Sequence, residues 1–400
     1  MAKKIDLSVN LAGLKLKNPL MPAAGPSSRD GETLLKAADA GVGCLVCKTV
    51  SVKPAPVPRP NMMVVDRAML TSYQYISING NTYRITKTEL QTKSGMLNTE
   101  LWTEKSLEEW LEKEYHIAHK AGLPMIASVG YTPEDMKVII PKISALGFID
   151  GIEFSTHYIQ PGLIRDITKT IKKYFKGLVF AKLSPHNPET LIQQAKEAES
   201  AGCDGIVAIN SFGPTLHFDI DTCKPLLGSK FGYGWISGVP IKPLAVRCVF
   251  DIARNVKIPV IGVGGIFSGR DVIEHIMAGA TAVQICTAAI LEGPKVYTRI
   301  LNEIVSWMQE HKVYSLKEIH KLYIKKIGKG QKVRTKGGYS KVDEKLCKGC
   351  HTCEPSCVYG AISFKKKDEL HEVCYIDKNI CQACGLCVSI CPTRAISIQW

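Results

Sequence analysis

The chain has 400 residues, 45% hydrophobic and 22% charged, with a formal net charge of +14. That length holds one large domain and a small one, with apolar residues enough for a sizeable core. No apolar run approaches the roughly 18 residues of a membrane span, and the positive charge comes without a nucleic-acid motif. Neither a membrane nor a nucleic acid is therefore expected as a partner.

Met1-Ala2-Lys3-Lys4-Ile5-Asp6 carries no long apolar segment and reads as mature protein rather than a signal peptide. Short apolar runs then predict strands over 19–23, 43–49, 124–129, 150–155, 178–183, 204–210, 258–263 and 281–287. Amphipathic stretches predict helices near 30–41, 105–121, 133–146, 161–175, 188–201, 240–255, 268–279 and 294–311. Near-continuous apolar strands alternating with helices imply a parallel sheet covered on its outside. Eight such units imply an α/β fold of the (β/α)8 TIM-barrel type over residues 1–324; a doubly wound sheet is the alternative, which the count of eight and the length disfavour. Two connections are long, 50–104 and 211–239. Both follow a strand's C-terminal end, the active-site face of a barrel, and are expected to be lids or substrate walls.

The strand ends carry the chemistry. Strand one ends in Ala23-Ala24-Gly25, strand two in Lys48-Thr49, strand five in Lys182, strand six in Asn210-Ser211. Lysines at barrel strand ends are costly unless they meet an anion or a polar ligand. After strand seven, Gly264-Gly265 precedes a helix and offers a backbone cradle for a phosphate; after strand eight, Thr287 adds a hydroxyl and an amide. A phosphate held there, with two lysines over the barrel mouth, fits FMN.

Residues 325–341, KKIGKGQKVRTKGGYSK, hold seven Lys/Arg and no acid. They read as a solvated linker or as a docking strip for an acidic partner. Beyond them, over 342–400, lies an internal repeat. Cys347, Cys350, Cys353 and Cys357 recur 34 residues on as Cys381, Cys384, Cys387 and Cys391; Asp343 recurs as Asp377, and Ala361-Ile362-Ser363 as Ala395-Ile396-Ser397. Nine of the fifteen cysteines fall in this stretch, in a pattern of metal ligation rather than disulfides. Two-residue gaps let three thiolates wrap one iron–sulfur cube, and the three-residue gap carries the fourth cysteine to the other cube. One [4Fe-4S] cluster is thus assigned to Cys347, Cys350, Cys353 and Cys391, the other to Cys381, Cys384, Cys387 and Cys357. Zinc favours pairs of CxxC over four evenly spaced ligands. The unit resembles the two-cluster bacterial ferredoxins, small α+β domains, with Val358 where the second motif has Pro392. With so many thiols and no export signal, a cytoplasmic location is expected.

Almost the whole chain resembles the dihydroorotate dehydrogenase superfamily, and within it the dihydropyrimidine dehydrogenase branch, an FMN barrel with a C-terminal iron–sulfur domain. The resemblance rests on CKTVSVKPAPVPRP (47–60), SGMLNTELWTEKS (94–106), AKLSP (181–185), DGIVAINSFG (204–213), SGVPIKPLAVRCV (237–249), GVGGIFSGRDVIEHIMAGATAVQICTA (262–288) and VDEKLCKGCHTC (342–353). It implies that Lys48 and Lys182 contact the flavin ring, that Thr49 and Asn210 hydrogen-bond flavin or substrate, and that Gly238, Gly264, Gly265, Cys286 and Thr287 hold ribityl and phosphate. Ala24 and Gly25 join these cofactor positions. Asn98, Glu100, Asn210 and Ser211 match substrate-facing positions. The resemblance further implies a homodimer or a hetero-oligomer.

The departure is GIEFSTHYIQPG (151–162), where the family has Glu-Leu-Asn-Leu-Ser-Cys-Pro. The same register puts Ser155 in place of the substrate-facing Asn, His157 in place of Ser, and Tyr158 in place of the proton-handling Cys. His157 shares strand parity with Glu153 and Ser155. Both rings are usable general acids, and the competing reading makes them structural. Single electrons passing from the clusters to FMN, then hydride to an activated C=C bond of a small unsaturated substrate, is the activity expected. That substrate need not be a pyrimidine.

No dinucleotide fingerprint accompanies this, since Gly262-x-Gly264-Gly265 lacks the GxGxxG pattern in a first βαβ unit. An NAD(P)H-oxidising flavoprotein subunit or a ferredoxin is therefore the expected electron donor. The alternative is an electron-transfer subunit in which FMN is only a relay. Asn98, Glu100 and the two long lids argue against it, because a relay needs no substrate pocket. An FMN-dependent isomerase or sensor leaves eight cluster ligands unexplained.

Overall fold

A computed structural model describes residues 5–65, 75–78, 81–84, 95–156, 162–331, 333–335, 337–368 and 371–400. His157 and Tyr158 lie outside the described residues. The chain divides into two compact units, the larger ending at Gly328 and the smaller made of Lys329–Trp400 together with the paired strands Tyr75–Ile78 and Asn81–Arg84. No described helix is long and apolar enough to cross a membrane.

The larger unit is the expected barrel. Its eight parallel strands are Leu20–Pro22, Leu45–Val46, Met125–Val129, Gly151–Ser155, Leu178–Leu183, Gly205–Ala208, Val260–Val263 and Ala280–Ile285. Numbered one to eight, they pair in the order one, eight, seven, six, five, four, three, two. At the seam between strands one and two, Gly43 N donates to Leu20 O at 2.8 Å, so the ring is nearly closed. The helices between them include Gly31–Asp39, Pro133–Ser144, Leu163–Tyr174, Pro188–Ala201, Lys242–Ala253, Gly269–Ala278 and Lys295–Glu310. Helix two, expected over 105–121, runs from Leu107 to His119 with a wider turn at Trp110–Glu114.

Side chains alternate along each strand, and the inward set is layered. Met21, Val46, Ile126, Phe180, Val207, Ile261 and Ala282 fill the lower barrel with Leu11 and Leu16. Those two leucines end the strands of an N-terminal hairpin, Val9–Leu11 with Leu14–Leu16, that periodicity did not reveal. Phe180 takes the space two glycines leave. A methyl on Gly205 would stand 2.9 Å from its ring and one on Gly151 3.1 Å. One pleat above this apolar layer the inward positions are Lys48, Ser128, Glu153, Lys182 and Gln284, all buried.

The two long connections build one structure. Phe212–Leu216, Tyr233–Gly238, Gly95–Asn98 and Met62–Val65 form a four-stranded antiparallel sheet at the barrel mouth. The helix Leu322–Ile327 packs Leu322 and Ile324 on the barrel core. Both contacts fall within the span 1–324 expected for the barrel.

The smaller unit repeats itself in space as in sequence. Tyr339–Val342 pairs antiparallel with Ile396–Gln399, and Ile362–Lys366 with Glu372–Ile376. Asp343 N donates to Ala395 O at 2.7 Å, and Asp377 N to Ala361 O at 2.8 Å. Ile362, Ile396, Cys353, Cys374 and Cys387 make its core.

Candidate active site and iron–sulfur sites

The strand ends of the barrel surround a cleft with about 1080 Å³ of empty space, open to solvent. Its lining includes every described barrel position singled out from sequence. Ala24, Gly25, Lys48 and Thr49 come from strands one and two; Ser155, Lys182, Asn210 and Ser211 from strands four to six. Gly264, Gly265, Cys286 and Thr287 come from strands seven and eight, and Asn98, Glu100 and Gly238 from the lid.

Two buried lysines stand at its base, each with a carboxylate. Lys48 Nζ is 2.8 Å from Glu100 Oε1 and donates to Leu101 O at 2.8 Å, while Asn61 Nδ2 donates to Glu100 Oε2 at 2.6 Å. Lys182 Nζ lies 3.3 Å from Glu153 Oε1 and 3.2 Å from Gln284 Oε1. Gln284 Nε2 in turn donates to Glu153 Oε2 at 2.6 Å. Glu153 Oε1 has this ion-pair contact but no hydrogen bond. A buried charge is tolerable only when paired in this way.

Uncharged polar groups make the upper walls. Asn98 Nδ2 donates to Trp235 O at 3.0 Å, and its Oδ1 accepts from Glu100 N at 3.2 Å. Asn210 Nδ2 donates to Ser155 Oγ at 3.3 Å, and Asn210 Oδ1 accepts from Ser211 N at 3.0 Å. Thr49 Oγ1 and Ser128 Oγ are 2.8 Å apart, and Thr287 Oγ1 donates to Ser237 Oγ at 2.9 Å. Burial pushes the Cys286 thiol up, partly offset by Lys182 and Lys48.

After strand seven, Gly264 and Gly265 hold left-handed backbone, φ +123° and +71°. Their Cα atoms press on the start of the preceding helix, Lys242–Ala253. An added methyl would lie 2.8 Å from Ala245 Cβ at Gly264 and 2.3 Å from Lys242 Cβ at Gly265. Behind them His275, fully buried, approaches Gly264 O at 3.2 Å through Nε2. Burial lowers it to about 4, so it is neutral near pH 7.

In the smaller unit the cysteines gather in two sets. Cys347, Cys350, Cys353 and Cys391 line one hollow, and Cys357, Cys381, Cys384 and Cys387 line another. Among the described residues, no three potential ligands converge tightly enough for a single metal ion. Four thiols grouped around one hollow without converging on a single-ion position suit a cube better than tetrahedral zinc. Backbone N–H groups point at these sulfurs: Ala395 at Cys391 and Ala361 at Cys357, each 3.3 Å, and Ala383 at Cys381, 3.4 Å.

Known proteins share this arrangement. A family model described as dihydroorotate dehydrogenase matches residues 154–308, and one described as a 4Fe-4S dicluster domain matches 346–395. The catalytic subunit of dihydroorotate dehydrogenase B (NAD(+)) from Endomicrobium trichonymphae is 32% identical over 327 residues, covering 78% of this chain and 96% of that protein. The same subunit from Pyrococcus abyssi is 31% identical over 329 residues, 80% of this chain and 99% of that one. The chain belongs to the dihydroorotate dehydrogenase family. The dihydroorotate dehydrogenase of Eimeria tenella, crystallised with ferulenol, shares the fold with a TM-score of 0.61 at 21% identity, over 80% of this chain and 89% of that one.

Dihydroorotate dehydrogenases are FMN-dependent oxidoreductases acting on a CH–CH bond, and the residues here fit that cofactor. The double-glycine turn and Lys182 both line the cleft, where backbone amides would suit a phosphate and the lysine would stand near a bound flavin ring. The chain is thus a flavin and iron–sulfur oxidoreductase of the dihydroorotate dehydrogenase family.

Sequence reasoning missed several residues of this site. Glu153 and Gln284 anchor Lys182, Asn61 anchors Glu100, and Tyr131, Trp235 and Ser237 line the cleft. Glu153 and Gln284 left a signal: polar residues at inward parity in otherwise apolar strands. Asn61, Trp235 and Ser237 left none, since they arrive through lid contacts that span 39 to 141 residues.

Proposed function

We propose that the chain reduces an activated C=C bond of a neutral substrate, in the manner of the dihydropyrimidine dehydrogenase branch. Electrons come one at a time from a partner through two [4Fe-4S] clusters. The observation that carries this reading is the charge pairing in the cleft. Among the described residues lining it, both lysines have carboxylate partners, and no arginine or further lysine joins them. A substrate carboxylate would enter a base already balanced and meet Glu100 at close range, a like-charge contact. The amide and hydroxyl groups of Asn98, Ser155, Asn210 and Ser211 instead suit the carbonyl and N–H edges of an uncharged ring.

FMN, when bound, supplies hydride exchange with the substrate and single-electron exchange with the clusters. Lys182, fixed between Glu153 and Gln284, would contact the flavin and hold its orientation when the cofactor is bound. Glu100, clamped by Lys48 and Asn61, ties the lid segment 95–104 to strand two and narrows access of water. The proton for the second carbon is assigned to His157 or Tyr158, which stand where the family has its Ser and Cys. Ser155 in place of the family's Asn, at the end of strand four, supports a substrate other than uracil or thymine. The donor is an NAD(P)H-oxidising flavoprotein or a ferredoxin, in keeping with relatives that are named as catalytic subunits of an NAD(+) enzyme.

Anaerobically photoreduced enzyme tests this by its rate of flavin reoxidation. Neutral conjugated alkenes such as cyclohexenone should reoxidise it, with orotate, uracil and thymine much slower. Fast reoxidation by orotate would defeat the neutral-substrate reading, and fast reoxidation by uracil or thymine the altered specificity. Reoxidation by proteins alone would favour the relay. His157→Phe and Tyr158→Phe should separate the acid, since its loss slows reoxidation while flavin reduction stays normal.

A further inference from the structure

The 34-residue repeat relates two buried residues outside the ligand sets. Ser340, in the strand Tyr339–Val342, donates its N–H to Cys381 Sγ at 3.3 Å and places Oγ 3.4 Å from Cys387 Sγ. Its repeat mate Cys374, in Glu372–Ile376, donates its N–H to Cys347 Sγ at 3.4 Å and places Sγ 3.6 Å from Cys353 Sγ. Each reaches the first and third cysteines of the motif opposite. They are 2% and 4% exposed. The positions thus correspond in strand, backbone bond and burial, and differ in one group, a hydroxyl against a thiol.

A thiolate bound to iron has no proton to give. Toward bound Cys387 the Ser340 hydroxyl is therefore the donor, and toward bound Cys353 the Cys374 thiol is, a weaker one. Reduction of a cube adds one electron and no proton, and the negative charge spreads onto its thiolate sulfurs. Donors to those sulfurs favour the reduced form and raise the potential, most where water does not compete. Among the described residues two further hydroxyls lie near ligand sulfurs, Thr352 at 3.4 Å from Cys350, which is exposed, and Thr393 at 3.6 Å from Cys391, which is part-buried; neither has a counterpart related by the repeat in the way Ser340 and Cys374 are.

Resting on the two-cluster reading, we infer that Ser340 and Cys374 set the two cluster potentials separately. Ser340 raises that of the Cys357/Cys381/Cys384/Cys387 cube, and Cys374 leaves the other lower than a serine would. Both are positioning residues; neither is a ligand.

Redox titration of the full-length, cluster-loaded protein, followed by electron paramagnetic resonance, tests this. Ser340→Ala should shift one cube to lower potential and leave the other in place. Ser340→Cys should shift the same cube by less. Cys374→Ser should shift the other cube upward, a gain that mere loosening of the fold would not produce. Iron and sulfide content, measured alongside, should match wild type. A wild-type signal from a single cube would overturn the two-cluster reading and this assignment with it. Two cubes with neither moved, or both moved together by one substitution, would overturn the assignment alone.

Discussion

Lys182 has its charge matched within the barrel by Glu153, whose other oxygen accepts from Gln284. The trio spans strands four, five and eight, so no local pattern announces it. Lys182 itself was legible, because a lysine closing an apolar strand demands a partner. Glu153 sat in an equally telling place, two residues before Ser155, and parity alone would have found it. His275 was read only as part of a helix, yet it braces the glycine turn from behind. Its acidity has a measurable consequence. An unfolded histidine takes up a proton near pH 6.5, whereas the folded one resists until about 4. Between these values the unfolded state binds more protons, so stability should fall as pH falls through that window, by up to about 1.4 kcal/mol per pH unit. Denaturant unfolding across pH 4 to 7 should show this limb in wild type. His275→Gln, which cannot take up the proton, should flatten it.

The barrel's strands and helices emerged at nearly the expected places, because fully buried strands and amphipathic helices write their environments into composition and period. The lid sheet did not. Its strands pair Trp235 with Asn98 and Met62 with Asn98, contacts far apart in sequence and set by tertiary pairing. In the proposed function the glycine turn is the element that would hold the cofactor's phosphate. Gly264 at φ +123° has no room for a side chain. Gly264→Ala should cost about 1–3 kcal/mol of backbone strain. If the turn relaxes out of shape to avoid it, FMN affinity should fall by roughly 10-fold or more. Fluorescence titration of the apoprotein with FMN, set beside unfolding of the same variant, checks this.

At the scale of the whole molecule, the two cofactor regions divide the labour of a redox enzyme, and removal of one should spare the other. Cys381→Ser should lose one cube's signal and abolish reduction of the flavin by a protein donor. FMN content and reoxidation of photoreduced flavin by substrate should persist. Stopped-flow absorbance with and without the donor separates the two, and persistence of donor-driven reduction would mean that electrons bypass that cube.

The cysteine spacing determined by itself which thiols could share a cube, because covalent reach over two and three residues is short-range geometry. Strand ends likewise determined where charge would gather, since position along a barrel strand fixes height above the core. Only the tertiary structure decided that each cleft lysine is neutralised, and that a serine and a cysteine 34 residues apart occupy matching places against ligand sulfurs. Charge balance and hydrogen bonding depend on distances between strands that the chain order does not contain.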